Sequence, residues 1–79
     1  MATDLNARVV KALRDFMADH QISQADIARR LGRSEGYVSQ RMSGRLDLTV
    51  DIMGAAADLA GVSAFALMGE LTERMNPAR

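Results

Sequence analysis

The chain has 79 residues, no cysteine, and ten basic side chains balanced by ten acidic ones. This length favours one domain over residues 1–79, and the lack of cysteine excludes a disulfide framework and a cysteine-based zinc site. Apolar residues make up 48% of the chain and aromatic residues only 4%, so we expect an aliphatic core. No apolar run in the sequence approaches the ~20 residues that span a bilayer.

The first predicted helix starts at a capping residue, Thr3 or Asp4, and runs to about Ala18. Its apolar residues recur at helical spacing and are expected to face the core: Leu5, Val9, Leu13, Phe16 and Met17. His20 follows in the connection and is the only histidine of the chain. Because no cysteine or paired carboxylate lies near it, we expect a loop residue rather than a metal ligand or a catalytic base.

The next stretch, residues 23–44, has the pattern of two short helices joined by a tight turn. Ser23 and Ser34 each stand where a hydroxyl can cap the start of a helix. Gly32 stands where a helix ends in a left-handed residue, a conformation that costs glycine least. The expected core positions are Ile27, Ala28 and Leu31 in the first helix, and Val38 and Met42 in the second. This pattern predicts a helix-turn-helix.

Two further helices are predicted after this stretch. Thr49 is placed to cap the first, over about residues 50–60, and Gly61 to end it. Its expected core face is Val50, Met53, Ala56, Ala57 and Ala60. Ser63 is placed to cap the last helix, which Pro77 would end. Five short helices with short connections predict an all-α compact bundle that contains a helix-turn-helix.

Charge is unevenly distributed along the neutral chain. Residues 29–45 hold five arginines and a single acidic residue, Glu35, whereas residues 46–79 hold five acidic residues and two arginines. The second helix of the pair is also expected to expose short or hydrogen-bonding residues: Glu35, Gly36, Ser39, Gln40 and Ser43. A solvated arginine-rich surface would explain the charge alone, but charge and polarity together favour a nucleic-acid contact.

Residues 23–44 resemble the helix-turn-helix of the lambda-repressor and Cro-like (XRE) family of DNA-binding regulators. The family's marks recur here with its spacing: Gln24, Ala28, Gly32 and Val38, with Gly44 after the second helix. The resemblance continues through the two following helices, covers about two-thirds of the chain well, and extends more loosely to the first helix.

The resemblance implies binding to double-stranded DNA, with the helix at about residues 35–43 in the major groove. It implies that Gln24 contacts a backbone phosphate, that Glu35, Gly36 and Gln40 read bases, and that Ser43 contacts a phosphate. By their chemistry, Gln40 can pair with adenine and Glu35 can accept from the amino group of cytosine. The expected DNA-binding residues are Gln24, Arg33, Ser34, Glu35, Gly36, Tyr37, Gln40, Arg41, Ser43 and Arg45.

Two arginines depart from the family pattern, since Arg33 and Arg41 stand where apolar residues usually pack. Buried unpaired arginines are costly, so we expect their stems to pack while their heads reach out towards phosphates. Tyr37, beside them, could meet a thymine methyl group or a phosphate. Two alternatives stay open: Glu35 as a first-turn anion favoured by the helix dipole, and Gln40 as a solvent-facing helix residue.

A two-fold dimer on a pseudo-palindromic operator is also implied, because one recognition helix reads only a few base pairs. The tentative dimer interface is the apolar face of the last helix: Phe65, Met68, Leu71 and Met75, together with Leu67. A contact through one short helix predicts a weak homodimer that tightens on its operator. Burial of this face in the core of one molecule is the open alternative.

The sequence therefore predicts a small phage or bacterial transcription regulator, a repressor or a Cro-like protein, in the cytoplasm and associated with the nucleoid. No enzymatic activity, cofactor, metal or membrane contact is expected, because the carboxylates are scattered and no glycine-rich phosphate loop appears. The alternative is a helix-turn-helix fold used as a protein-interaction or antitoxin-like module.

Overall fold

The computed structural model describes the main chain of residues 2–76 and the side chains of residues 5–76. The described chain forms five helices and no strand: α1 Ala2–Asp19, α2 Gln24–Leu31, α3 Glu35–Met42, α4 Val50–Ala60 and α5 Ala64–Met75. The radius of gyration is 11.8 Å, against about 12 Å expected for a compact chain of this length. The predicted all-α compact bundle of five short helices is confirmed.

Serine hydroxyls start three of these helices, as predicted. Ser23 Oγ accepts from the amide of Asp26 at 3.0 Å, and the Asp26 carboxylate accepts from the amide of Ser23 at 2.9 Å. This reciprocal pair is a capping box. Ser34 caps α3 through the amide of Tyr37, and Ser63 caps α5 in the same way. Gly32 and Gly61 end α2 and α4 with φ angles of 67° and 75°.

Other predicted helix boundaries differ in detail. α1 begins at Ala2, so Thr3 and Asp4 lie inside the helix rather than before it. Thr49 precedes α4 without capping it, because its hydroxyl donates to the carboxylate of Asp51 instead of accepting from an amide of the first turn. The predicted stop at Pro77 lies outside the described residues.

All five helices contribute to a single core. Its largest fully buried side chains are Phe16, Leu13, Ile27, Met42, Ile52, Leu67 and Val38. Two residues that were expected in the core, Leu5 and Val50, are exposed. Val50 is the first residue of α4, where the helix has only begun to pack, and Ile52 fills the core in its place. Ala55, Ala56 and Ala57 are buried beside it, and their small side chains let the neighbouring helices approach closely.

Contacts from three directions hold α3 in place. α2 packs against both α3 and α4, and the side chains of Arg30 and Asp58 join α2 to α4 at 2.9 Å. From α1, Arg14 Nη2 donates to the main-chain carbonyl oxygen of Met42. The amide of Leu46 donates to the carbonyl oxygen of Gln40 at 3.1 Å. The helix therefore packs against α2 and is bonded to other segments at its C-terminal end, while one side of it stays exposed.

Between residues 2 and 76, no single helix is long and apolar enough to cross a membrane. Only α4 and α5 taken together reach that length and apolar character, and they are bent by 102° at the break between them.

Candidate nucleic-acid interface

The outward face of α3 carries the residues that the sequence predicts to read bases. Val38 and Met42 are fully buried, which turns the opposite side of the helix towards solvent. Gly36 and Gln40 are exposed there, Glu35 is exposed at the start of the helix, and Ser43 is exposed just after it. A Cβ atom added to Gly36 would meet only Ser34 Oγ, at 3.9 Å. The surface at Gly36 is thus open enough for another molecule to approach the backbone.

A polar groove of about 460 Å³ runs along one flank of this face. Its lining residues are Arg14, Gln24, Ser39, Gln40, Ser43 and Arg45. Gln24 is the first residue of α2, whose first-turn amides have no partner within their own helix. The groove therefore combines amide and hydroxyl groups with two guanidinium groups, and a phosphate or the edge of a base would find hydrogen-bond partners in it.

Four of the predicted DNA-binding residues meet in this groove: Gln24, Gln40, Ser43 and Arg45. Arg14 and Ser39 also line it, although neither was included in the predicted set. Ser39 follows from the helical spacing of α3. The position of Arg14 beside α3 cannot be predicted in this way, because it depends on how α1 crosses the bundle, and no local pattern in α1 encodes that crossing.

The opposite flank of α3 is built around Tyr37. The guanidinium carbons of Arg33 and Arg41 lie 4.3 Å and 4.0 Å from the centre of its ring. Its hydroxyl donates to Asp51 Oδ2 at 2.9 Å and lies 3.4 Å from Thr49 Oγ1. Both the ring and the hydroxyl of Tyr37 are thus engaged within the protein, and its contact with a thymine methyl group or a phosphate stays a prediction.

Arg41 also differs from expectation. Its head does not reach out beyond its packed stem: Nη1 donates to the carbonyl oxygen of Tyr37, one turn earlier, at 3.1 Å. Arg41 is half-buried, whereas Arg33 is exposed. The guanidinium group of Arg41 is thus held on the ring rather than extended, because stacking and a main-chain hydrogen bond both draw it back.

Two predicted hydroxyl contacts are used within the protein. Ser34 Oγ accepts from the amide of Tyr37 at 3.1 Å, and Ser43 Oγ donates to the carbonyl oxygen of Gln40 at 3.1 Å. Both serines are exposed at opposite ends of α3. Each therefore stabilises one end of the helix. Ser43 Oγ already donates its only hydrogen to the protein, so it could accept a hydrogen bond from a further ligand but could not donate one.

The arginine cluster of residues 29–45 divides into paired and unpaired members. Arg29 pairs with Asp26 at 2.6 Å, and Arg30 pairs with Asp58 at 2.9 Å. Among residues 5–76, Arg33, Arg41 and Arg45 form no salt bridge. The unpaired positive charge therefore lies on the two flanks of α3, where Arg14 adds a further guanidinium group.

Hydrogen bonds and nearby arginines lower the pKa values of two aspartates. Hydrogen bonds from the backbone and then the hydroxyl of Ser23, with help from Arg29, lower the pKa of Asp26. Hydrogen bonds from Thr49 and then from Tyr37 lower the pKa of Asp51, and the positive charge of Arg33 acts in the same direction. Asp51 is thus held ionised, with its carboxylate engaged by its neighbours.

An exposed apolar surface lies at the start of α4 and on α5. We call it the α4–α5 patch: Val50, 79% exposed, Phe65, 90% exposed, and Met68, 51% exposed. The expected dimer face is corrected in part, because Leu67 and Leu71 are buried in the protomer core and Met75 is partly buried against it. Periodicity alone could not separate the two sides of α5, since apolar residues occur on both.

Among the side chains of residues 5–76, no group of histidine and acidic residues is arranged to hold a metal ion. Comparison with known protein families, with curated proteins and with solved structures finds no match for this chain. The inference of function therefore rests on the geometry of α3 and its two flanks.

Proposed function

We propose that this protein is a sequence-specific, double-stranded DNA-binding transcription regulator that uses α2, the turn and α3 as a helix-turn-helix. The observation that carries the proposal is the position of the outward face of α3 between two pairs of arginines. Arg14 and Arg45 lie on one flank, and Arg33 and Arg41 on the other. The resemblance of residues 23–44 to the lambda-repressor and Cro-like family supports the same function.

This arrangement matches the shape and charge of a DNA major groove. The groove is ~12 Å wide, admits one α-helix, and is bordered by the phosphates of both strands. With α3 in the groove, a cation on each flank faces one of the two phosphate rows. Gln24 and the first amides of α2 suit a phosphate on the Arg45 side, because the start of a helix favours an anion.

Gln40 is proposed as the central reader of base edges. It is exposed one turn after Gly36, on the side of α3 away from Val38 and Met42. Its amide has a donor and an acceptor side by side, as bidentate pairing with adenine requires. Glu35 is proposed to accept from the amino group of a cytosine, and Gly36 lets the backbone come close to the bases.

Selection of bound duplexes from a random library, followed by affinity measurements at several salt concentrations, tests this proposal. Arg45→Gln should flatten the slope of log K against log salt by about one. Lys11→Gln removes the same charge from an exposed position on α1 outside the groove and should leave the slope unchanged. Equal affinity of the parent protein for selected and scrambled duplexes would contradict sequence-specific binding.

A second copy of this chain is the proposed partner on the operator. One α3 contacts too few base pairs to single out one genomic site, so two copies on half-sites about 34 Å apart are required. The α4–α5 patch is the proposed contact, because Val50 adjoins Asp51, which already touches the recognition helix through Tyr37. A patch that joins two copies would thereby also fix the spacing of their α3 helices.

A protein-interaction or antitoxin-like module is the second candidate, and the α4–α5 patch favours it. The three residues of the patch, Val50, Phe65 and Met68, are all more than half exposed, and a contiguous exposed apolar patch is a feature of protein-contact sites. The two candidates differ in what the arginines do. A pure protein-interaction module would not need Arg14 and Arg45 to bind its partner protein, so substitution of these arginines would leave that binding intact.

A further inference from the structure

Tyr37 brings two arginines of separate chain segments to one place. Arg33 belongs to the turn before α3 and Arg41 to its last turn, yet both guanidinium groups lie within 4.3 Å of the ring centre. Each contact is attractive, because the face of an aromatic ring carries negative charge density. Both positive charges are therefore held against one ring, on the same flank of α3.

The ring itself is fixed from the neighbouring helix. Its hydroxyl donates to Asp51 in the first turn of α4, and the hydroxyl of Thr49 donates to the same carboxylate. Asp51 therefore acts as an anchor whose negative charge is shared among several partners. It forms a salt bridge with neither arginine, although the positive charge of Arg33 is close enough to help lower its pKa.

We infer that Arg33 and Arg41 form one composite binding site for a single backbone phosphate of duplex DNA, with Tyr37 as its positioning residue. The inference rests on the proposed function. Guanidinium groups present fork-shaped sets of N–H donors that suit phosphate oxygens. Arg41 donates one of its N–H groups to a carbonyl oxygen and has another, on Nε, buried without a partner, whereas Arg33 donates none within residues 5–76.

A composite site differs from two independent phosphate contacts in one measurable way. Tyr37→Leu removes no charge, so independent arginines would keep their contribution to the salt dependence. If the ring gathers them, the same neutral substitution should flatten the slope of log K against log salt by about one. The affinity for all duplexes alike should fall about five- to thirty-fold, because two arginine side chains freed from the ring must then be immobilised when the phosphate binds.

The conservative variant separates the ring from the hydroxyl. Tyr37→Phe keeps the aromatic face and loses only the hydrogen bond to Asp51. Its affinity should therefore stay within about threefold of the parent value, and its salt slope within about one-third of a unit. Circular dichroism and thermal unfolding of both variants establish that the helices are retained. A purely structural role for Tyr37 would lower thermal stability without changing the salt slope.

A double-mutant cycle provides the matched control. Tyr37→Leu combined with Arg41→Gln should bind about as well as Arg41→Gln alone, because both disrupt the same site. Tyr37→Leu combined with Arg45→Gln should show additive losses, because Arg45 lies on the other flank of α3. Additivity in both cycles would overturn the composite site.

The outcomes distinguish this inference from the proposed function. A parent protein that binds no duplex DNA would end both. A parent that binds with a steep salt dependence, and a Tyr37→Leu variant with the same slope, would end only the composite site. A slope that falls equally in the Leu and Phe variants would also overturn it, since the ring would then not be what gathers the arginines.

Discussion

Arg14 of α1 donates a hydrogen bond from Nη2 to the main-chain carbonyl oxygen of Met42, in the last turn of α3. The last carbonyl groups of a helix have no partner within it and carry partial negative charge, so a guanidinium group stabilises that end. The same side chain also lines the polar groove beside Gln40. One residue thus links the placement of α3 to the charge of its surface.

Arg14→Gln is therefore expected to have two effects. The free energy of unfolding should fall by about 1 kcal/mol, the usual worth of one such hydrogen bond. Duplex-DNA affinity should fall more steeply, with the log salt slope reduced by about one. Arg8→Gln is the matched control, because Arg8 lies on the same helix and bonds the carbonyl oxygen of Met75 at 3.5 Å. Loss of DNA affinity in both variants would mean that Arg14 acts only through net charge.

Gln40→Ala should relax the preference for one base pair and cost roughly 1–3 kcal/mol on the preferred duplex. Gln24→Ala, in the same groove, should instead weaken binding to every duplex by a similar factor, because its proposed contact is with a phosphate of the DNA backbone. Affinities for the preferred duplex and its single-base variants measure both effects. Unchanged affinity ratios in Gln40→Ala would remove Gln40 from the readers.

Gly36→Ala separates stability from binding. The added Cβ has space in the free protein, and alanine favours a helix over glycine by roughly 0.5–1 kcal/mol. The variant should therefore unfold at a higher temperature and yet bind its preferred duplex more weakly or prefer another. Gly69→Ala on α5 has equal space and should raise stability without altering DNA binding. A Gly36→Ala protein with parental affinity and preference would show that bases do not approach this position.

Phe65→Ser should weaken the proposed dimer while the fold is retained. Because Phe65 is 90% exposed, its loss should change the free energy of unfolding by less than about 0.5 kcal/mol. Loss of its burial between two copies should weaken the dimer at least about tenfold. Sedimentation with a palindromic duplex measures the change, and Leu59→Ser, another exposed apolar site on α4, is the control. Parent protein that saturates the duplex at one protomer would contradict the dimer.

The lowered pKa of Asp51 predicts a pH-dependent contribution to stability. A carboxyl whose folded pKa lies below its unfolded value, about 3.9, stabilises the fold fully above that value. This contribution is lost as the pH falls from about 3.9 through the folded pKa. Asp51→Asn should accordingly be less stable than the parent at neutral pH, and the difference should shrink below about pH 4. Denaturant unfolding at pH 7 and at pH 3 tests the sign; an equal deficit at both would contradict it.

Local patterns in the sequence determined the starts of α2, α3 and α5 and the ends of α2 and α4. The hydroxyls of Ser23, Ser34 and Ser63 bond amides three residues away, and Gly32 and Gly61 adopt left-handed backbone conformations at the ends of their own helices. Such interactions lie within one helical turn, so residue type and spacing suffice to predict them. The buried pair Val38 and Met42 likewise follows from helical spacing, and it fixes which side of α3 faces outward.

The relationships that complete the site depend on tertiary structure. Tyr37 and Asp51 are 14 residues apart, and Arg14 and Met42 are 28 apart. Their contacts follow from how α1 and α4 cross α3, which packing of the whole core decides. Packing likewise buried Leu71 and left Phe65 exposed, although both are apolar residues of α5. The hydrophobic pattern of a sequence predicts that a helix has a buried face, but only the packing of neighbouring helices determines which residues lie at the edges of that face.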